Sequence, residues 1–351
     1  MESKNNNLEQ ILSDAKIFSP DSERLLLQQK SLTRYLEREY QGYLKHPVTL
    51  ESTGVTTDKG LIMEKTEDLM KTHYDENIEL FLGFLDTRYR AYTMAYYGES
   101  GDDKISLEEA QKQKFNLIAE RAQIKGNENI LNIGCGFGSL ETFLLKEYPD
   151  IKITGITPSK VQIKYLKERM QEPAHPLSSG FTLVEDVFDE TITDKLGLAK
   201  YDLVISIGVF EQLLNMRTML ALIAKLLKPN GRTFHHFITS RVTTPQVQLH
   251  EKTVIGKYFP GGRIWPRDEF SRHTEHLDLV NTWYVNGKNY WRTLDDWHHR
   301  YWKSIPGLYN NNFGIEAIKH WNEYFLLCKA MFAPLDGTFY GNSQYLFTLK
   351  S

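Results

Sequence analysis

The chain has 351 residues, with 42 Lys plus Arg against 45 Asp plus Glu, a formal charge of −3, and hydrophobic and charged fractions of 41% and 25%. This length allows one large or two moderate domains with a real core, and the near-neutral balance supplies no basic field for a polyphosphate chain, so nucleic acid is not an expected partner. Two cysteines, Cys135 and Cys328, cannot staple a fold of this size; no apolar run approaches 18 residues or follows the polar start MESKNNNLEQ, so neither signal peptide nor membrane span is expected and the protein reads as cytoplasmic.

Residues 1–72 read as a helical extension, in which Leu25, Leu26, Leu32, Tyr35 and Leu36 recur near helical spacing. A Pro-, Gly-, Ser- and Thr-bearing stretch from His46 to Gly60 interrupts the pattern as a loop. From Ser106 the sequence SLEE forms a capping box, with Glu109 three residues after the cap, opening a helix through Ala122. Strand and helix then alternate. Apolar runs end at Gly134, Thr157, Asp186 and Gly208, a fifth spans Gly231–Ile238, and helical patterns follow the first two at SLETFLLKEY and Ser159–Met170. Such alternation predicts a doubly wound, mostly parallel α/β sheet over residues 73–240. Beyond Ser240 it stops. Residues 241–351 hold all six tryptophans (Trp265, Trp283, Trp291, Trp297, Trp302, Trp321), helical patterning over Gly314–Phe332 and a final strand-like QYLFTL; they read as an aromatic-rich substrate cover completing the core, or simply as core.

GCGFG, Gly134 to Gly138, sits between a strand and a helix, where glycines admit a ligand close to the backbone and a helix N-terminus offers free N–H groups. A tight strand-to-helix turn is the plainer reading. The spacing is GxGxG, and the second strand ends in Thr157 instead of a carboxylate, which argues against a dinucleotide. Asp186, at the end of the third strand, is placed either to accept from an adenine amino group or to serve as a solvated strand end. No His or Cys spacing matches a zinc site, and no metal is expected.

In order and spacing, ILNIGCGFGSLETFLLKEYPDIKITGITPSKVQ, YDLVISIGVFEQL and LLKPNGR resemble the class I S-adenosylmethionine (SAM) methyltransferases with their Rossmann-like core. Within them the chain is similar, from about His73 onward, to the superfamily uniting cyclopropane-fatty-acid synthases with coclaurine-type N-methyltransferases. HYDENIELF and AYTMAYY resemble that superfamily's pre-core segment, and Tyr92 and Thr93 match the pair that closes over SAM. The resemblance implies that Gly134, Gly136 and Gly138, with Cys135 between them, lie against the methionine portion, that Thr157 and Gln162 reach the ribose, and that Asp186 holds the adenine.

For the chemistry, the resemblance implies Glu211, His236 and Tyr290. In the synthases the matching residues, with Cys135 and Ile238, form a pocket for bicarbonate acting as base. In the N-methyltransferases a Glu-His pair follows the fourth strand; here it is Glu211 and Gln212, and Gln does not titrate. Cys135 is also explained as a small residue packed under the ligand, and His235 or His236 as an ordinary buried histidine. KYFPGGRIWP resembles the synthases, TWYVNGKNYWRTLDDW the N-methyltransferases. The expected function is SAM-dependent N-methylation of a small aromatic or apolar amine, with aromatic faces attracting the cation by roughly 0.5–2 kcal/mol each. The alternatives are methylation of an unsaturated lipid acyl chain, with bicarbonate, and a non-catalytic SAM-binding homologue. Nothing in the sequence indicates an oligomeric state.

Overall fold

The computed structural model describes residues 2–63, 74, 76–245, 255–259 and 261–350. His73 and Asp75 of HYDENIELF, the boundary expected at residues 72 and 73, and Pro260 of KYFPGGRIWP lie outside the described residues. Helices α1 (Glu2–Asp14) and α2 (Glu23–Lys45) lead the chain, the second capped by Ser22, whose hydroxyl accepts from Leu25 N. Of the apolar stripe expected on α2, Leu25 is buried, Leu32 and Leu36 are half-buried, and Leu26 and Tyr35 face solvent. Next come α3 (Ile78–Phe84) and α4 (Leu107–Arg121). The expected cap opens α4, where the Ser106 hydroxyl accepts from Glu109 N at 3.3 Å, the serine half of the capping box.

The alternation then runs β1 (Asn129–Ile133), α5 (Ser139–Glu147), β2 (Lys152–Ile156), α6 (Lys160–Met170), β3 (Phe181–Val184), α7 (Ile192–Leu196), β4 (Tyr201–Ile207), α8 (Met216–Leu226) and β5 (Leu227–Ser240). These five strands pair in parallel in the order β3-β2-β1-β4-β5. A parallel strand covered by helices on both faces must be apolar throughout, which is why β4 reads YDLVISI with all but Asp202 buried. The two-residue β6 (Trp265–Pro266) pairs beside the end of β5.

The last third departs from the sequence expectation. Its aromatic stretch contains an edge strand, β7 (Leu277–Asn286), and a long helix, α9 (Lys288–Asn310), before α10 (Ile315–Phe332) and β8 (Tyr340–Leu349). β8 inserts antiparallel between β5 and β7. On β7 only Leu277 and Val285 are buried, and a register shift falls between Leu279 and Asn281, so period-two alternation is lost.

Chain order reverses between β1 and β4, and an open α/β sheet binds ligands outside the carboxyl ends of its strands at such a switch point. Above it, α3, α9, α10 and the N-terminal helices share one core, in which Leu12, Ile17 and Tyr40 join Phe84, Trp297, Trp321 and Phe325. Tyr40 stacks on Phe339 at 4.2 Å, so the N-terminal extension is packed against the C-terminal segment. Among the described residues no helix is long and apolar enough to cross a membrane.

Candidate active site

Two cavities meet at the switch point. The larger, about 170 Å³, is walled by the segments leaving β1, β2, β3 and β4. Tyr92, Thr93, Gly134, Cys135, Gly136, Thr157, Gln162 and Asp186 all line it. Gly138 does not. It caps α5 with φ +72°, and a Cβ there would fall 2.7 Å from Leu166 and 2.9 Å from Leu177, so its smallness seats α5 on its neighbours. The Thr157 hydroxyl donates to Gln162 Oε1 at 2.6 Å, tying the ends of β2 and α6 together. Asp186 accepts from Val187 N at 2.8 Å and from the Lys195 ammonium, which holds its carboxyl below the usual range. Burial, and then the nearby Glu141, push the Cys135 thiol well up, so it is a packed thiol with no nucleophilic character.

The second cavity, about 90 Å³, lies under the C-terminal helices and shares Tyr74, Tyr92, Thr93 and Gly208 with the first. The boundary is thin because Gly208 has no side chain: a Cβ there would stand 3.1 Å from Thr93 Cγ2. Thr93 itself is fixed from behind, its hydroxyl accepting from Lys114 Nζ at 2.8 Å and its carbonyl from Gln111 Nε2 at 3.0 Å. Full burial brings the Lys114 ammonium down to about 7, partly offset by Asp86. Tyr92 is wedged among Phe81, Phe84 and Trp297, with ring centroids 5.3–5.7 Å away.

Glu211 and Tyr290 both line the second cavity, with Ile238. The short turn Phe210–Gln212 after β4 turns Glu211 toward this cavity and Gln212 toward the first. Glu211 Oε1 accepts from Ile238 N at 2.8 Å, while Oε2 is buried with no hydrogen-bond partner among the described residues. Burial pushes this carboxyl up to about 7. Burial and the facing Glu211 keep the Tyr290 phenol protonated, and its ring stacks on Phe332 at 4.5 Å. Phe259, Tyr324 and Phe332 supply further aromatic wall.

His236 is placed differently. It lines neither cavity. Arg121 donates to Gln344 Oε1 at 2.6 Å, Gln344 Nε2 donates to His236 Nδ1 at 2.8 Å, and the other ring nitrogen stands 3.0 Å from the Asn342 carboxamide. Burial drives this imidazole down to about 3, so it is neutral and saturated inside the sheet. His235, held by Ser206 and Thr233 at 2.8 Å each and stacked on Phe210, is likewise structural. None of the six tryptophans lines either cavity; Trp265, Trp297 and Trp321 are core. Among the described residues no three His, Cys, Asp or Glu side chains converge on a metal site.

A sequence profile described as mycolic acid cyclopropane synthetase matches residues 63–337. The chain belongs to this family. It is 30% identical over 270 residues to the cyclopropane-fatty-acyl-phospholipid synthase of Escherichia coli (strain K12), covering 76% of this chain and 64% of that protein, so it spans less than two thirds of that relative's length. It is 26% identical over 263 residues to (S)-coclaurine N-methyltransferase of Thalictrum flavum subsp. glaucum, covering 71% of each. In fold it is similar to a crystal structure of coclaurine N-methyltransferase bound to N-methylheliamine and SAH, with a TM-score of 0.72 and 22% identity over 98% of this chain and 92% of that one. The class I methyltransferase fold expected from the sequence is therefore the fold of this chain.

Of the five residues that the family resemblance assigned to a bicarbonate pocket, Glu211, Ile238 and Tyr290 share the second cavity, Cys135 lines the first, and His236 lines neither. Two polar groups escaped the sequence reading, Asn132 on the first cavity's wall and Lys114 behind Thr93, while Gln212, read there as the companion of Glu211, lines the first cavity. A polar residue at the end of an otherwise apolar strand, as in NILNIG, was the available signal for Asn132.

Proposed function

We propose that the protein is a SAM-dependent methyltransferase that methylates the nitrogen of a small aromatic or apolar amine. The larger cavity fits the donor: its wall carries Asn132 Oδ1 and both polar atoms of the Gln212 carboxamide, all buried with no partner among the described residues, and such atoms belong against a polar ligand. In this reading the adenine end lies by Asp186, the ribose by Thr157 and Gln162, and the amino-acid end by Asn132 and the glycine loop. When bound, SAM supplies an electrophilic methyl group on a sulfonium, and its transfer leaves S-adenosylhomocysteine (SAH).

The observation that carries the acceptor is Glu211, one buried carboxyl oxygen with no partner among the described residues, in a cavity whose wall combines the rings of Tyr74, Tyr92, Phe259, Tyr290, Tyr324 and Phe332 with aliphatic side chains and Arg263. Aromatic faces and a lone carboxylate both favour a cationic nitrogen. The amine must be neutral when it attacks. Glu211, raised to about 7, is matched to take its N–H proton as the new N–C bond forms, and Tyr92, Thr93 and Gly208 fix the line across which the methyl passes. Gln212 faces the donor cavity, so a glutamine there removes no base from the acceptor side.

Lipid-chain methylation is the competing reading, and the scattering of Cys135 and His236 away from Glu211, Ile238 and Tyr290 weighs against it. Labelled SAM offered with a panel of cyclic and aryl-alkyl amines, and separately with unsaturated phospholipid vesicles, each with and without bicarbonate, tests it. Label on an amine without bicarbonate dependence is expected. Bicarbonate-dependent label in the lipid fraction would overturn the proposal.

A further inference from the structure

Beneath the glycine loop lies a second buried carboxyl that the reaction scheme above leaves unused. Glu141, in the first turn of α5, is fully buried, and its Oε1 accepts from Asn132 Nδ2 at 2.6 Å. Among the described residues its Oε2 has no hydrogen-bond partner, and neither has Asn132 Oδ1. Asn132, itself 3% exposed, lines the donor cavity. Because its amide N–H is spent on Glu141, the end it keeps for the cavity is an acceptor oxygen backed by a carboxylate.

A buried carboxyl with no cation against it is an expensive thing to keep. Burial pushes Glu141 up to about 7, opposed only by its hydrogen bonds from Asn132 and its own backbone. A helix position that needed only packing would carry a Leu or Met, as its neighbours Leu140, Phe143 and Leu144 do. What the pair lacks is a positive ligand. The donor carries two positive groups, and the sulfonium must face Thr93 and Gly208, where the cavities meet. The other is the α-ammonium of its amino-acid end.

We infer that Glu141, acting through Asn132, is the positioning residue that holds the α-ammonium of the methyl donor. The inference rests on the donor orientation proposed above. The polarised Asn132 carbonyl accepts from the ammonium, and the carboxylate behind it balances the charge, so the pair does from one turn away what a carboxylate on the strand end would do directly.

The test is equilibrium binding to the full-length protein of two probes, SAH, which carries the α-ammonium, and 5′-methylthioadenosine, which lacks the whole amino-acid portion. Glu141→Gln keeps the shape and the bond to Asn132 while removing the charge; it is expected to weaken SAH tenfold or more, about what a charge-assisted hydrogen bond supplies, and to leave methylthioadenosine unchanged. The double variant Asn132→Asp with Glu141→Gln moves the carboxylate to the cavity wall and is expected to recover SAH binding. Unchanged SAH affinity in Glu141→Gln, equal loss of both probes, or a double variant that binds methylthioadenosine normally but stays weak for SAH would each overturn the assignment. Asp186→Ala reports on the orientation separately: it should weaken both probes, and if it weakens neither, the adenine end is misplaced whatever Glu141 does.

Discussion

Replacing Glu211 by Gln should trade stability against activity in a way that pH reveals. Burial raises this carboxyl from 4.5 to about 7, so its ionised form is disfavoured in the folded protein by about 3 kcal/mol relative to the unfolded chain. Between those two values the native state holds a proton that the unfolded state has released, so this site's contribution to stability falls as pH rises and reaches its floor above 7. Glutamine removes the titration. Its Oε1 keeps the bond from Ile238, and its amide N–H replaces Oε2, a cost that does not vary with pH. Urea unfolding of wild type and Glu211→Gln at pH 5 and pH 8.5 should therefore show the difference moving toward the variant by about 2–3 kcal/mol at the higher pH. Tyr74 and Tyr290 face Glu211 with phenols that burial keeps protonated, and Arg263 shares its cavity wall; all three remain in both proteins. The same variant should lose about 10- to 100-fold in kcat/KM for the amine, because a buried charge-assisted hydrogen bond to the nitrogen is gone, and wild-type kcat/KM should rise through pH 7 in a way the variant's does not. A stability difference that stays constant with pH, or a variant as active as wild type, refutes the account of Glu211 as the poised group.

Three other predictions separate the roles of neighbouring residues. His236→Asn should cost about 1–3 kcal/mol of stability by disrupting its bonds to Asn342 and Gln344; the shape of the pH–rate profile should not change, since an imidazole held at about 3 carries no proton to exchange near neutrality, and loss of a limb of that profile would restore it to the chemistry. Gln212→Ala should raise KM for SAM several-fold while leaving KM for the amine in place, because its carboxamide lines the donor cavity alone; an effect confined to the amine contradicts the placement. Cys328→Phe intrudes on the second cavity and should exclude bulkier amines while SAH binding, followed by calorimetry, stays at the wild-type value.

How far the sequence carried depended on where each residue's partners come from. The strands β1, β2 and β4 were legible because an interior parallel strand leaves a nearly unbroken apolar run, β3 because this edge strand still reads FTLV although only Phe181 is buried, and the caps at Ser106 and Ser159 are local bonds spanning three residues. The glycine loop was legible for the same reason, although Gly138 turned out to serve helix packing. The edge strand β7 was not, since one face is solvated and a bulge breaks its alternation. Helix α9 did carry a signal, with Leu294, Trp297, Tyr301, Ile305 and Leu308 at helical spacing and buried, but its aromatics and Pro306 drew attention to composition over period. For His236 the sequence left a catalytic role and an ordinary buried histidine both open, because its partners Asn342 and Gln344 stand on β8, more than one hundred positions away. For Glu211 and Gln212 the sequence supplies adjacency alone, and only the turn after β4 sends their side chains into different cavities.

The two buried carboxyls make one further point about how such a site is held. Glu141 and Glu211 are both raised to about 7 by burial, and each has one oxygen hydrogen-bonded and one with no partner among the described residues; Glu211 lines the second cavity, while Glu141 stands behind Asn132 on the wall of the first. Packing alone would favour an apolar residue at both positions, so ionising either carboxyl strains the folded protein by about 3 kcal/mol relative to the unfolded chain. A positive ligand against either one would pull that carboxyl's pKa back down and return the strain as binding free energy. Donor and amine should therefore each raise the melting temperature more at pH 8 than at pH 5.5, in wild type and not in the matching Gln variant.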